Sequence, residues 1–145
     1  MACLLTSGRA LPCKKSVGGL KAVYFADYGT LGTTTIAAGE ITAISGTPDF
    51  FKFDIKGNSS LETTINSSRE NGTTFFTQTL NLSLKQLTIK DHKQIKLLSY
   101  GRPQAIVEDN NGNLFYCGLR NGLDVTGGTI VTGAAMGDMS GYTIT

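Results

Sequence analysis

The sequence predicts a mostly β chain, an antiparallel β-sandwich or barrel with one flanking α-helix at about 89–100 and a long β-hairpin at about 59–87. Three observations predict it. Apolar and polar residues alternate with period two over much of the chain, while helical spacing is confined to one stretch. Asn-Gly pairs sit between alternating runs at Asn71-Gly72 and Asn111-Gly112, the strongest short-range signal for a hairpin. Eighteen glycines and frequent threonine, with no tryptophan, fit a fold with many turns. At 145 residues the chain is long enough for one domain with a real core.

Residues 1–18 have no steady period and carry Gly8, Pro12, Gly18 and the pair Lys14-Lys15, so they read as an arm that orders against something else. The domain proper is 19–145. Leu20 to Ala26 is the first strand, ended by Asp27-Tyr28-Gly29. Thr33 to Ala38 is a loop or short strand, Glu40 to Ser45 a second strand, and Gly46-Thr47-Pro48-Asp49 a turn. Phe50 to Lys56 alternates, which places Phe51, Phe53 and Ile55 inward and Lys52, Asp54 and Lys56 outward.

The long hairpin is the most informative stretch. One arm sets Leu61, Thr63 and Ile65 against Glu62, Thr64 and Asn66; the other sets Phe76, Gln78, Leu80, Leu82 and Leu84 against Phe75, Thr77, Thr79, Asn81 and Ser83. A four-residue loop Arg69-Glu70-Asn71-Gly72 pairs Leu61 with Leu80, Ile65 with Phe76, Glu62 with Thr79 and Thr64 with Thr77. A two-residue turn shifts the partners but keeps the faces, whereas an odd loop without a bulge mixes apolar with polar. The result is one greasy face and one face of Thr, Ser and Asn.

Thr88 then offers an N-cap, with Asp91 placed for a capping box, and Ile89 to Tyr100 follows as a helix turning Ile95, Leu98, and either Leu97 or Ile89, to the core. Gly101 and Pro103 stop it. Lys90, Lys93 and Lys96 lie on one side, a solvated face unless they meet phosphate. Ala105 to Asp109 and Leu114 to Leu119 form the second hairpin around Asn110-Asn111-Gly112-Asn113. Arg120-Asn121-Gly122 is a further turn and Thr129 to Thr132 a short strand. Gly133, Gly137 and Gly141 mark turns and backbone crossings before the last strand, Tyr142 to Thr145.

The residues exclude more chemistry than they suggest. A net charge of +2 gives no reason to expect tight nucleic-acid or acidic-membrane binding. No apolar run approaches a bilayer span of about 18–20 residues, so membrane insertion is not expected. MACLLTSGRALPC lacks a basic leader and a full apolar core, so no signal peptide is expected either. Cys3, Cys13 and Cys117 form no C-x-x-C pair and no zinc pattern; Cys3 and Cys13 either pair or, more simply, remain thiols in a reducing compartment. Asp109 to Asn113 superficially resembles a calcium loop but lacks its later acidic ligands. His92 is the only histidine and sits mid-helix, with no nucleophile elbow anywhere; no Walker loop or dinucleotide fingerprint occurs. Phe50, Phe51 and Phe53 point to alternate faces and are better spent on the core than on base stacking. Neither an enzyme nor a cofactor is expected.

What remains is the hairpin, whose arms exceed ordinary strand length of about five or six residues and whose polar face carries little charge. Long free edges are an aggregation hazard for a monomer, and pairing between neighbouring copies resolves it, closing ribbons into a large barrel. The order of parts, with Val107-Glu108-Asp109-Asn110-Asn111-Gly112-Asn113, Gly118, Gly122 and the ending from Thr132-Gly133 through Gly137-Asp138 to Ser140-Gly141-Tyr142-Thr143-Ile144-Thr145, resembles tail tube proteins of long-tailed bacteriophages and the related tube proteins of type VI secretion systems. The likeness covers most of the chain from about Leu20. It implies a virion structural protein, made in the host cytoplasm, that self-assembles into stacked, hexameric rings around a channel for DNA ejection. Its partners would be itself and other tail proteins, with DNA passing transiently and without specificity. Leu61, Ile65, Phe76, Leu80 and Leu82 would then pack on the subunit core beneath the helix. Glu62, Thr64, Asn66, Thr77, Thr79 and Asn81 would line the channel, and Ser68, Arg69, Glu70, Asn71, Gly72, Thr73 and Phe75, with Lys14 and Lys15 of the arm, would meet adjacent subunits. The alternatives are another phage part, such as a tail terminator, head-completion or capsid-decorating protein, and a monomeric ligand-binding β-sandwich.

Overall fold

A computed structural model describes residues 4–28, 34–37, 40–44, 49–55, 59–118 and 121–145. Within them the strands are β1 (Leu20–Asp27), β2 (Thr34–Ala37), β3 (Glu40–Ile44), β4 (Phe51–Asp54), β5 (Ser60–Ser68), β6 (Thr73–Lys85), β7 (Pro103–Asp109), β8 (Leu114–Cys117), β9 (Gly128–Val131) and β10 (Gly141–Ile144). One helix, α1 (Ile89–Tyr100), follows β6. They form two antiparallel four-stranded sheets, ordered β4-β1-β7-β8 and β5-β6-β10-β9, and a separate ribbon β2-β3. The fold is mostly β and sandwich-like, and among the described residues there is one helix and no closed barrel.

One core joins the two sheets and the helix. Leu20, Val23 and Phe25 of β1, Ala105 and Val107 of β7 and Cys117 of β8 meet Leu82 of β6, Tyr142 and Ile144 of β10, Ile95 of α1 and Ile55. Full burial of each larger aliphatic or aromatic side chain stabilises the fold by about 1.5–3 kcal/mol. Phe53 leans on Phe25 edge to face, with centroids 5.2 Å apart.

The helix begins and ends where its caps require. Thr88 Oγ1 accepts the Asp91 N–H at 3.1 Å, the threonine half of a capping box, and Gly101 donates its N–H to the Leu97 carbonyl at 3.0 Å. Ile95 is buried and Leu98 half-buried, as expected, but Ile89 and Leu97 are exposed. At 3.6 residues per turn Ile89 lies about 120° around the helix from Ile95, on the stripe of Lys93 and Lys96. Lys90, Lys93 and Lys96 are all exposed.

Phe51 is a second correction: it is exposed rather than inward, while Phe53 is half-buried and Ile55 buried. The strand is the outermost of its sheet, and helix α1 stands off its end. Phe51 and Leu97 therefore border one open groove with Phe53 and Leu98.

Tyr142 locks the last strand to the helix. Its phenol is fully buried and donates to the Thr88 carbonyl at 3.2 Å, which leaves His92 Nδ1, 2.5 Å away, as the donor to the phenol oxygen. The only histidine in the sequence is a strut between β10 and the first turn of α1. Tyr142→Phe breaks both bonds while keeping the ring, so urea unfolding is expected to show a loss of about 1–2 kcal/mol. An unchanged midpoint would mean that the two hydrogen bonds do not hold the strand.

Candidate functional site

The long hairpin takes the register of the four-residue loop. Leu61 pairs with Leu80, Glu62 with Thr79, Thr64 with Thr77, Ile65 with Phe76 and Ser68 with Thr73. Gly72, at φ +63°, donates its N–H to the Arg69 carbonyl at 3.3 Å, and Ser68 Oγ accepts from the Asn71 N–H. Strand β6 has 13 residues, so it reaches about 44 Å at the usual rise per residue. Thr73–Asn81 pair with β5 and Leu82–Lys85 with β10, so one continuous strand carries the hairpin out from the sandwich.

Only the base of the apolar face packs on the core. Leu82 is buried and Leu61, Leu80 and Leu84 lie half-buried against the cluster. Ile65 and Phe76, expected to pack there too, are 67% and 63% exposed, and Phe75 on the opposite face is 60% exposed. Among the described residues nothing covers the outer half of the hairpin. Leaving three such side chains in water forfeits about 1.5–3 kcal/mol each that burial would supply.

The other face is polar and extends past the hairpin. Period two aligns Ser60, Glu62, Thr64 and Asn66 with Thr77, Thr79, Asn81, Ser83 and Lys85, and the register carries the same face to Thr143 of β10 and Thr129 of β9. Short uncharged side chains dominate, and Glu62 and Lys85 offset each other. Ser83 and Lys85 continue the face of the six channel candidates along β6 itself, whereas Thr143 and Thr129 join it only through the β6-β10-β9 pairing. The alternation of Tyr142 and Ile144 against Thr143 and Thr145 was the available signal for Thr143.

Both flanks of this sheet are open among the described residues. Strand β5 pairs with β6 alone, β9 with β10 alone, and the Thr73–Asn81 half of β6 with β5 alone. All four side chains of β9 are exposed. The loop residues Arg69, Glu70, Asn71, Gly72 and Thr73 are exposed at the tip, with Ser68 half-buried beside them.

Among the described residues the leading arm is tied down at its root. Asn110 and Asn111 of the β7–β8 turn donate to the Gly18 and Val17 carbonyls at 2.8 and 2.9 Å, and Asn111 Oδ1 accepts the Val17 N–H at 2.9 Å. Asp109 shapes that turn. Burial pushes its carboxyl up, but hydrogen bonds from Asn113 and Asn111 outweigh this and hold it below its ordinary pKa. The Asp109–Asn113 turn is internally hydrogen-bonded and anchors the arm. Residues 4–16, including Lys14 and Lys15, are exposed.

Among the described residues no three His, Cys, Asp or Glu side chains come together as a metal site, and no helix is long and apolar enough to cross a membrane. The proposed Cys3–Cys13 pair lies outside the described residues through Cys3. Cys13 is exposed, whereas burial pushes the Cys117 thiol up to about 11. A thiol reagent at neutral pH should therefore modify Cys13 in the native protein and reach Cys117 only in denaturant, as peptide mass spectrometry can resolve. Rapid native labelling of Cys117 would mean that β7 and β8 separate readily. No family model, curated protein or solved structure matches the chain.

Proposed function

We propose that this chain is a self-assembling structural subunit of the bacteriophage tail tube type, whose copies join edge to edge into rings that stack around a channel for DNA. The observation that carries the proposal is the hairpin, whose β5 flank and Thr73–Asn81 flank of β6 are unpaired among the described residues, with Ile65, Phe75 and Phe76 exposed.

The two outer flanks of the sheet are unlike, β5 on one side and β9 on the other, so a contact between them is head to tail and repeats until it closes. Successive neighbours in the sheet run antiparallel, which leaves β5 and β9 pointing in opposite directions. A β5 flank set against the β9 flank of the next copy thus continues the antiparallel pattern, and closure removes the free β5 and β9 edges of this sheet. The polar face of Thr64, Thr77, Thr79, Asn66, Asn81 and Glu62 then lines the channel. Such a wall offers phosphate almost no cation, so DNA passes without adhering. The sixfold ring and the phage setting rest on the family resemblance.

Electron microscopy of the concentrated purified protein tests the reading. Rings or tubes are expected; a strictly monomeric protein under those conditions would overturn it.

A further inference from the structure

We infer that the arm of one copy, residues 4–16, docks through Leu4, Leu5 and Leu11 into an apolar groove at the β6 flank of the neighbouring copy. The inference deepens the assembly reading and rests on it for the presence of that neighbour. Leu4, Leu5 and Leu11 are 78%, 97% and 96% exposed, so the arm carries three large apolar side chains that its own subunit leaves in water. Gly8 and Pro12 keep it from helix, and fully extended its thirteen residues span up to about 43 Å.

The groove is of matching character. It runs between the sheets where β10 ends, bordered by Phe25, Leu80, Leu82, Leu98, Val125 and Ile144, with Asp124 exposed at its rim. Its floor is apolar, and the Thr77–Leu80 stretch of β6 beside it has an unpaired flank able to hydrogen-bond an extended segment. The arm carries Arg9, Lys14 and Lys15, opposite in charge to Asp124 at the rim of the groove.

In this proposal the neighbour is the donor, because the arm's root and the groove lie on opposite flanks of the sheet. The arm's root at Val17–Gly19 borders Ser59, Ser60, Leu61 and Thr63, at the β5 flank. The groove lies on the other flank, that of β10. When the β5 flank of one copy meets the β10 and β9 side of the next, the arm emerges beside the next copy's groove.

A fluorescent peptide of residues 4–16, with Cys13 replaced by Ser, is titrated into full-length protein carrying Leu4→Ser, Leu5→Ser and Leu11→Ser, whose own arm no longer competes. Saturable binding is expected, weakened at least about tenfold when the peptide carries the same three serines or the acceptor carries Val125→Lys, as loss of a central apolar anchor requires. No binding, or binding indifferent to the leucines, overturns the inference. In full-length Cys3→Ser protein, mild oxidation of Cys13 with an added Thr126→Cys should give covalent oligomers; a disulfide within one chain, meaning that the arm folds back on itself, also overturns it. Rings without leucine-dependent peptide binding would leave the tube reading standing and remove the arm; peptide binding without rings would do the reverse.

Discussion

Phe76→Asp is expected to leave the subunit folded and to abolish its assembly. The side chain is 63% exposed on the outer half of the hairpin, so replacing it removes little buried surface, and unfolding free energy should change by less than about 1 kcal/mol. Under the proposed assembly the next copy would cover this position, and a carboxylate buried there would lose its hydration. Light scattering should then report monomers where the parent protein reports rings or tubes, while thermal melts of the two subunits nearly coincide. Ile65→Asp acts on the cross-strand partner of Phe76, so the double variant should add little to either single one. A large loss of subunit stability would show that the hairpin packs on its own core; unimpaired rings would show that the outer half is not an interface.

The largest effect on folding is expected from Gly141→Ala. A Cβ at Gly141 would lie 2.1 Å from the Leu84 carbonyl oxygen and 3.0 Å from the Lys85 Cα, both backbone atoms of the neighbouring strand. Neither can move aside without opening the β10–β6 ladder, which begins at the Gly141–Lys85 pair and seats the buried Tyr142 and Ile144. A loss of about 3 kcal/mol or more is expected in urea unfolding, against almost none for Gly137→Ala, where nothing lies within 4 Å. Stability within about 1 kcal/mol of the parent would mean that β10 does not lie against β6 as described.

These two glycines show where local sequence stops informing. Both sit in the same run, four residues apart, and as letters they are equivalent turn or crossing signals. One is a crossing and the other is open, a difference made by β6, more than fifty residues upstream.

The hairpin divides in the same way. Period two determined the two faces of the hairpin, because side-chain alternation is a local property of the chain, but it left the register open between a four-residue Arg69–Gly72 loop and a two-residue Asn71-Gly72 turn. The structure chose the four-residue loop and with it the pairing of Ile65 with Phe76. The Thr88 cap, the Gly101 stop and the Asn-Gly turn of the second hairpin were legible for the same reason. Burial was not: alternation says that Phe51, Ile65 and Phe76 share a face with core residues, but not how far the opposing layer extends. Only the tertiary structure decided that the core ends near Leu61 and Leu80, that β10 and β9 carry the polar face onward to Thr143 and Thr129, and that His92 serves as a strut for Tyr142. Each depends on contacts between segments distant in sequence, and those exist only once both sheets and the helix have met.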